Sequence, residues 1–219
     1  MIDWTDLRPT VESAVRELGC PSTVWYRGHT KDHKLVPSLF RFENATQQEG
    51  FLLEQYRRYL ALSNANVSTS DWEATIRMHH SYVPTRLLAW TESLAVALFC
   101  ALVREGGEPC IFVLDPRRLN RVSGYSDIIR LDEPRGFDYR SLYLEKHPSA
   151  PALPVAVEAP FDTGELPLRQ TAFTIHGTID APLETQCAES VRKAVLDREM
   201  AEQAQGLVLS MRWLLSSRR

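Results

Sequence analysis

The sequence predicts a mixed α+β domain built on a central, mostly antiparallel sheet flanked by helices. Three observations predict it. Short β-branched and aromatic runs are separated by stretches of helical spacing. No Gly-rich phosphate loop follows any of those runs, which argues against a doubly wound dinucleotide fold. The 219 residues are 44% hydrophobic and 24% charged, a balance that lets a chain of this length bury its own core without disulfide or metal staples.

The elements follow in order. Residues 3–18 set Leu7, Val11, Ala14, Val15 and Leu18 near one face of a helix that Gly19 stops. Thr23-Val24-Trp25-Tyr26-Arg27-Gly28 reads as a strand. Residues 46–62 return to helical spacing through Phe51, Leu52, Gln55, Tyr56 and Tyr59, and a polar loop runs over 63–70. Ser70-Asp71-Trp72-Glu73 has the form of a capping box and opens a helix through about His79. Pro84 holds Val83 extended, so that helix has ended. Thr91 suits the N-cap of a mostly apolar helix over 92–104, which Gly106-Gly107 closes.

Cys110 to Leu114 reads as a buried strand, and residues 116–150, without clear periodicity, read as a long surface excursion. Two further strands are expected over 152–157 and 168–176. Region 186–205, rich in Ala, Glu, Arg and Gln, reads as a helix closed by Gly206, and 207–216 as a final apolar element, helix or strand. The expectation is one domain over 1–219, with its core at about 23–177, a helix at 3–18 and a C-terminal helical region at 186–217.

Composition narrows the function. A formal net charge of −3 argues against a nucleic-acid-wrapping protein, whose affinity rests on neutralising phosphates. The four cysteines, Cys20, Cys100, Cys110 and Cys187, form no CxxC pair. Together with an N-terminus that lacks a signal core, they fit a reduced, cytoplasmic protein. The longest apolar stretch, Leu87 to Val103, is broken by Thr91, Glu92 and Ser93, so no membrane span is expected.

Two constellations could carry chemistry. Arg27 sits within an aromatic strand, where its planar fork suits phosphate or carboxylate. Gly28 beside it permits a close backbone approach. The stretch from His79 to Ser93 gathers His80, Thr85, Arg86, Trp90 and Thr91 into a link between two helices. Polar groups on such links, held by a rigid scaffold, are where binding sites tend to sit. His29, His33, His79 and His80 lack the thiolates or carboxylates that accompany histidine in most metal sites, so no metal is expected. A serine or cysteine hydrolase is disfavoured too: there is no G-x-S-x-G elbow, and Cys100 stands among apolar residues.

These residues carry a resemblance. Tyr26-Arg27-Gly28, then Lys34-Leu35-Val36-Pro37-Ser38-Leu39-Phe40-Arg41, then Pro84-Thr85-Arg86-Leu87-Leu88-Ala89-Trp90-Thr91 resemble, in order, the motifs of the FRG domain family, named for its Phe/Tyr-Arg-Gly signature. Arg169-Gln170-Thr171-Ala172-Phe173-Thr174-Ile175-His176 resembles its later strand. The departures are His79 at the family's Gln, Tyr82 at its Gly, Ala89 at its Asp, and Arg169 at its second Gln, with Gln170 one place later. The motif order is also similar to that of arginine-type ADP-ribosyltransferases, which implies a split sheet with NAD bound in its cleft.

The resemblance implies that Arg27 holds a phosphate, with Thr91 and Gln170 completing a catalytic set. It implies ligand contacts from Tyr26, Gly28, His80, Thr85, Arg86, Trp90 and Arg169. NAD is the implied cofactor, and ADP-ribosyl transfer or NAD glycohydrolysis the implied activity, of a kind that suits a toxin, effector or phage-defence role. The Glu-x-Glu of many such transferases is missing, and Glu158 and Glu165, the nearest upstream acids, do not occupy its place. A non-catalytic module that uses the same cleft for a nucleotide or a protein partner is the alternative.

Overall fold

The computed structural model describes residues 7–63, 70–103, 107–131, 137–159, 172–197, 199 and 201. In chain order its elements are α1 (Arg8–Glu17), β1 (Trp25–His29), a 3-10 turn (Ser38–Arg41), α2 (Ala45–Leu62), α3 (Asp71–His80), β2 (Leu87–Trp90), α4 (Leu94–Leu102), β3 (Cys110–Leu114), α5 (Pro116–Val122) and β4 (Ile129–Arg130). A π-helical turn (Arg140–Leu144), β5 (Val155–Glu158), β6 (Ala172–Ile175), α6 (Leu183–Gln186) and β7 (Val191–Val195) follow. No helix among the described residues is long and apolar enough to cross a membrane.

The strands form two sheets. One has the order β1-β3-β7 and is antiparallel; the other has the order β2-β6-β5-β4, antiparallel except for the parallel pair β4–β5. Side chains alternate across each strand with period two, and this sorts the core into layers. Ile111 and Val113 of β3 pack with Leu7, just before α1, with Val11 of α1 and with Ala97 and Leu98 of α4. Phe112 and Leu114, on the opposite face, meet Trp25, Leu88 and Trp90 between the two sheets. On β2, Leu87 and Ala89 turn the other way, to Trp72 and Ile76 of α3 and to Phe173 and Ile175. A central strand buried on both faces reads as a continuous apolar run, which is why Cys110 to Leu114 stood out in the sequence.

The α+β class is what the structure has, but several elements differ from expectation. The sheet is split in two, joined by a bridge in which Tyr26 N donates to Thr91 O at 2.7 Å and Thr91 N donates to Tyr26 O at 2.9 Å. Thr91 therefore continues a strand instead of capping a helix. The cap is Ser93, whose Oγ accepts from Val96 N at 3.4 Å. The expected helix over 186–205 is instead β7 across Val191–Val195, paired along its length with β3.

The expected surface excursion over 116–150 holds α5, β4 and the π-helical turn, with Leu119, Asn120, Tyr139, Leu142 and Tyr143 buried. Within the expected strand 168–176, residues 172–175 pair with β2 and β5, while 168–171 lie outside the described residues. The apolar element expected over 207–216 also lies outside them.

Candidate functional site

The bridge between Tyr26 and Thr91 brings the end of β2 beside β1, and a cavity of about 240 Å³ opens there, lined by Tyr26, Arg27, Gly28, His79, Ala89, Thr91, Ala97 and Cys100. Each lining residue has a local reason for its place. Gly28 lets α4 close on β1: a Cβ at that position would stand 1.9 Å from the Ala97 carbonyl oxygen. His79 lies seven residues after Trp72 and three after Ile76, so it shares the inward face of α3, while His80 turns outward. Cys100 comes from α4, on the turn after Ala97.

Arg27 dominates the electrostatics. Its Nη1 donates to the Ala89 carbonyl at 2.6 Å and its Nε to His29 Nε2 at 2.9 Å. Among the described residues it has no carboxylate partner. Burial disfavours its charge and pushes its pKa down to about 10, with Cys100 acting in the opposite sense and Arg41 in the same one. The guanidinium is still cationic at neutral pH, so the cavity holds a positive charge that no anion among the described lining residues balances.

His79 is kept neutral. Burial first, then the Arg27 and His80 charges, lower its pKa to about 3. Its Nδ1 lies 3.2 Å from Thr85 Oγ1. Burial, followed by the Glu12 charge, raises the Tyr26 pKa, and Arg8 acts against both. Cys100 is raised by burial, against a lowering by Arg27, so its thiol stays protonated at neutral pH and is no nucleophile.

The remaining sequence candidates are placed elsewhere. Thr85 is 1% exposed and binds the 3-10 turn: its N–H donates to Ser38 Oγ at 3.1 Å, and its carbonyl accepts from Leu39 N at 3.1 Å. Trp90 is fully buried between the sheets, and its Nε1 donates to Thr174 Oγ1 at 3.0 Å. His80 is exposed at the end of α3, with its ring near those of His79 and Phe173.

Arg86 is buried away from Arg27. Its Nε donates to Glu49 Oε1 at 2.7 Å, its Nη2 to Glu49 Oε2, and its Nη1 to the His176 and Gly177 carbonyls at 2.9 Å each. Burial disfavours that charge as well, but the Glu49 hydrogen bonds and charge outweigh it and raise the Arg86 pKa. Arg86 is thus paired with a carboxylate, whereas among the described residues Arg27 has only neutral partners.

Arg169 and Gln170 lie outside the described residues, and the first described residue after them, Ala172, pairs with Trp90. Of the ten sequence candidates, the cavity gathers Tyr26, Arg27, Gly28 and Thr91. It adds His79, Ala89, Ala97 and Cys100, which sequence reasoning left out. The signal for His79 was available in the helical period running from Trp72 through Ile76. No group of three or more histidine, cysteine or acidic residues that could hold a metal ion occurs among the described residues.

The family model of the FRG domain matches residues 22–108. That stretch contains every residue that lines the Arg27 cavity. No curated protein and no solved structure matches the chain.

Proposed function

We propose that the cavity at the seam of the two sheets is a nucleotide pocket of the NAD or ADP-ribose kind, in which Arg27 takes a phosphate. The observation that carries this reading is the half-buried Arg27 guanidinium, without a carboxylate partner among the described residues, at the wall of a cavity large enough for part of a ligand. A buried charge is costly unless something pairs with it, and a phosphate matches the planar fork of arginine. The cavity is below the roughly 300–1,000 Å³ usual for a whole drug-sized ligand. It therefore suits the phosphate and ribose of a dinucleotide better than the entire molecule.

Arg27 would hold the phosphate, Thr91 would offer its hydroxyl to the ribose, and neutral His79 would hydrogen-bond without adding charge. NAD enters here as a substrate. In ADP-ribosyl transfer or glycohydrolysis the bond from ribose C1′ to the nicotinamide nitrogen breaks, and positive charge develops on the ribose, where a carboxylate would stabilise it. None of the described lining residues is a carboxylate. That observation favours the second reading, a module that binds the nucleotide, or a protein partner in the same cleft, without turning anything over.

Thermal melting with NAD, ADP-ribose or AMP, alongside chromatography for released nicotinamide, separates the readings. A rise in Tm with ADP-ribose or NAD and no nicotinamide supports binding alone, and nicotinamide release supports the enzyme. No shift with any of the three sinks the nucleotide reading.

A further inference from the structure

A second, larger cavity lies at the other end of β2, about 460 Å³ in volume. We propose that it binds a small phosphomonoester, with the phosphate at Lys146 and the apolar body of the ligand against Leu142 and Tyr143. This site shares no lining residue with the Arg27 cavity, and the proposal does not rest on the nucleotide reading.

The charge balance points to an anion. The lining residues include Arg86, Lys146 and His147 and no acidic residue. Glu49 already neutralises Arg86. Lys146 has no hydrogen bond or ion pair among the described residues, so its ammonium is the net charge of the cavity. His147 Nδ1 accepts from Ser149 N at 3.2 Å, so in the neutral ring Nε2 carries the proton and is a donor.

Donors are also in excess. Thr46 and Thr178 bring hydroxyls to the same wall. Thr46 is the second residue of α2, an 18-residue helix whose N-cap, Asn44, makes no side-chain hydrogen bond to it. The Gln47 N–H of this first turn is bonded to the Asn44 carbonyl at 3.0 Å, and the helix end adds positive potential beside Thr46. Several donors around one lysine suit the three terminal oxygens of a phosphate better than the two of a carboxylate.

The apolar wall is built around Tyr143. Tyr143 is 5% exposed, and among the described residues its buried hydroxyl has no hydrogen-bond partner; it presents its ring to the cavity, with the Arg86 guanidinium 4.6 Å from the ring centre. Lys146 follows the π-helical turn with φ of 53°, in the left-handed region that lysine rarely adopts. The backbone therefore holds the lysine at the cavity rim at some conformational cost.

Calorimetric titration of phenyl phosphate tests the site in three proteins: the wild type, Arg27→Ala and Lys146→Asn. Asparagine tolerates the left-handed backbone and removes the charge. The expected result is saturable binding that Arg27→Ala leaves in place and Lys146→Asn weakens roughly tenfold or more, the loss of one charge-assisted hydrogen bond. Absence of binding overturns the proposal. Binding abolished by Arg27→Ala but untouched by Lys146→Asn also overturns it, because the phosphate then sits in the other cavity. Benzoate that binds as tightly as phenyl phosphate overturns the assignment to phosphate.

Discussion

Two arginines, Arg86 buried and Arg27 half-buried, show how a partner decides the role of a charge. Arg86 is locked by Glu49, which also accepts a hydrogen bond from the Tyr139 hydroxyl. The Arg86 and Glu49 side chains are 5% and 4% exposed. Glu49→Gln leaves that guanidinium buried without its anion and should cost about 3–5 kcal/mol. Chemical denaturation measures this, and a loss under about 1 kcal/mol would contradict the structural role given to the pair.

His79 makes a second prediction at this scale. Its pKa is near 3 when folded and about 6.5 when unfolded, so the unfolded chain binds more protons between those values. Its contribution to stability is complete above pH 6.5 and is lost as the pH falls toward 3. His79→Gln removes that titration. The drop in Tm between pH 7 and pH 4.5 should shrink by several degrees, corresponding to about 1–2 kcal/mol. An equal drop in both proteins would show that His79 is not a buried neutral imidazole.

Elements whose local chemistry agrees with their packing were legible in the sequence, and those set by distant partners were not. The Ser70 capping box is of the first kind: Ser70 Oγ accepts from Glu73 N at 3.2 Å, and α3 begins where expected. The region that became β7 is of the second. Its Ala, Glu and Arg content favours a helix, but Val191 and Ala194 are buried in the core and the strand completes the edge of β3. Pairing across the sheet overrides so weak a local preference.

Asn120 was invisible for the same reason. Buried on α5, it behaves like a strand residue toward β5. Its Nδ2 donates to the Ala156 carbonyl at 2.9 Å and to the Asp127 carbonyl at 2.8 Å, and its Oδ1 accepts from Ala156 N at 2.6 Å. Asn120→Ala orphans all three backbone groups and should cost about 2–4 kcal/mol. Urea denaturation checks it, and a change below about 0.5 kcal/mol would mean that water replaces the side chain without loss.

At the scale of the molecule, two sheets sandwiched between α1 and α4 on one side and α2 and α3 on the other meet at one strand-like bridge, and the Arg27 cavity sits at that seam. Half of the site was readable. Tyr26, Arg27, Gly28 and Thr91 stand in motifs whose chemistry shows in the sequence, whereas Ala97 and Cys100 line the cavity only because Gly28 lets α4 come so close. Arg86 lies apart from the Arg27 cavity, paired with Glu49, 37 residues away in the chain, which nothing local announces.

Arg27, without a carboxylate partner among the described residues, is the proposed receptor of a nucleotide phosphate. Calorimetric titration of ADP-ribose and NAD into the wild type and into Arg27→Ala tests it most directly, with cooperative melting of both proteins as the control for folding. The expected result is one-to-one binding that Arg27→Ala weakens at least tenfold, as for loss of a charged hydrogen bond worth about 1.5–3 kcal/mol. Equal affinity in the two proteins, or no binding to a folded wild type, would contradict it.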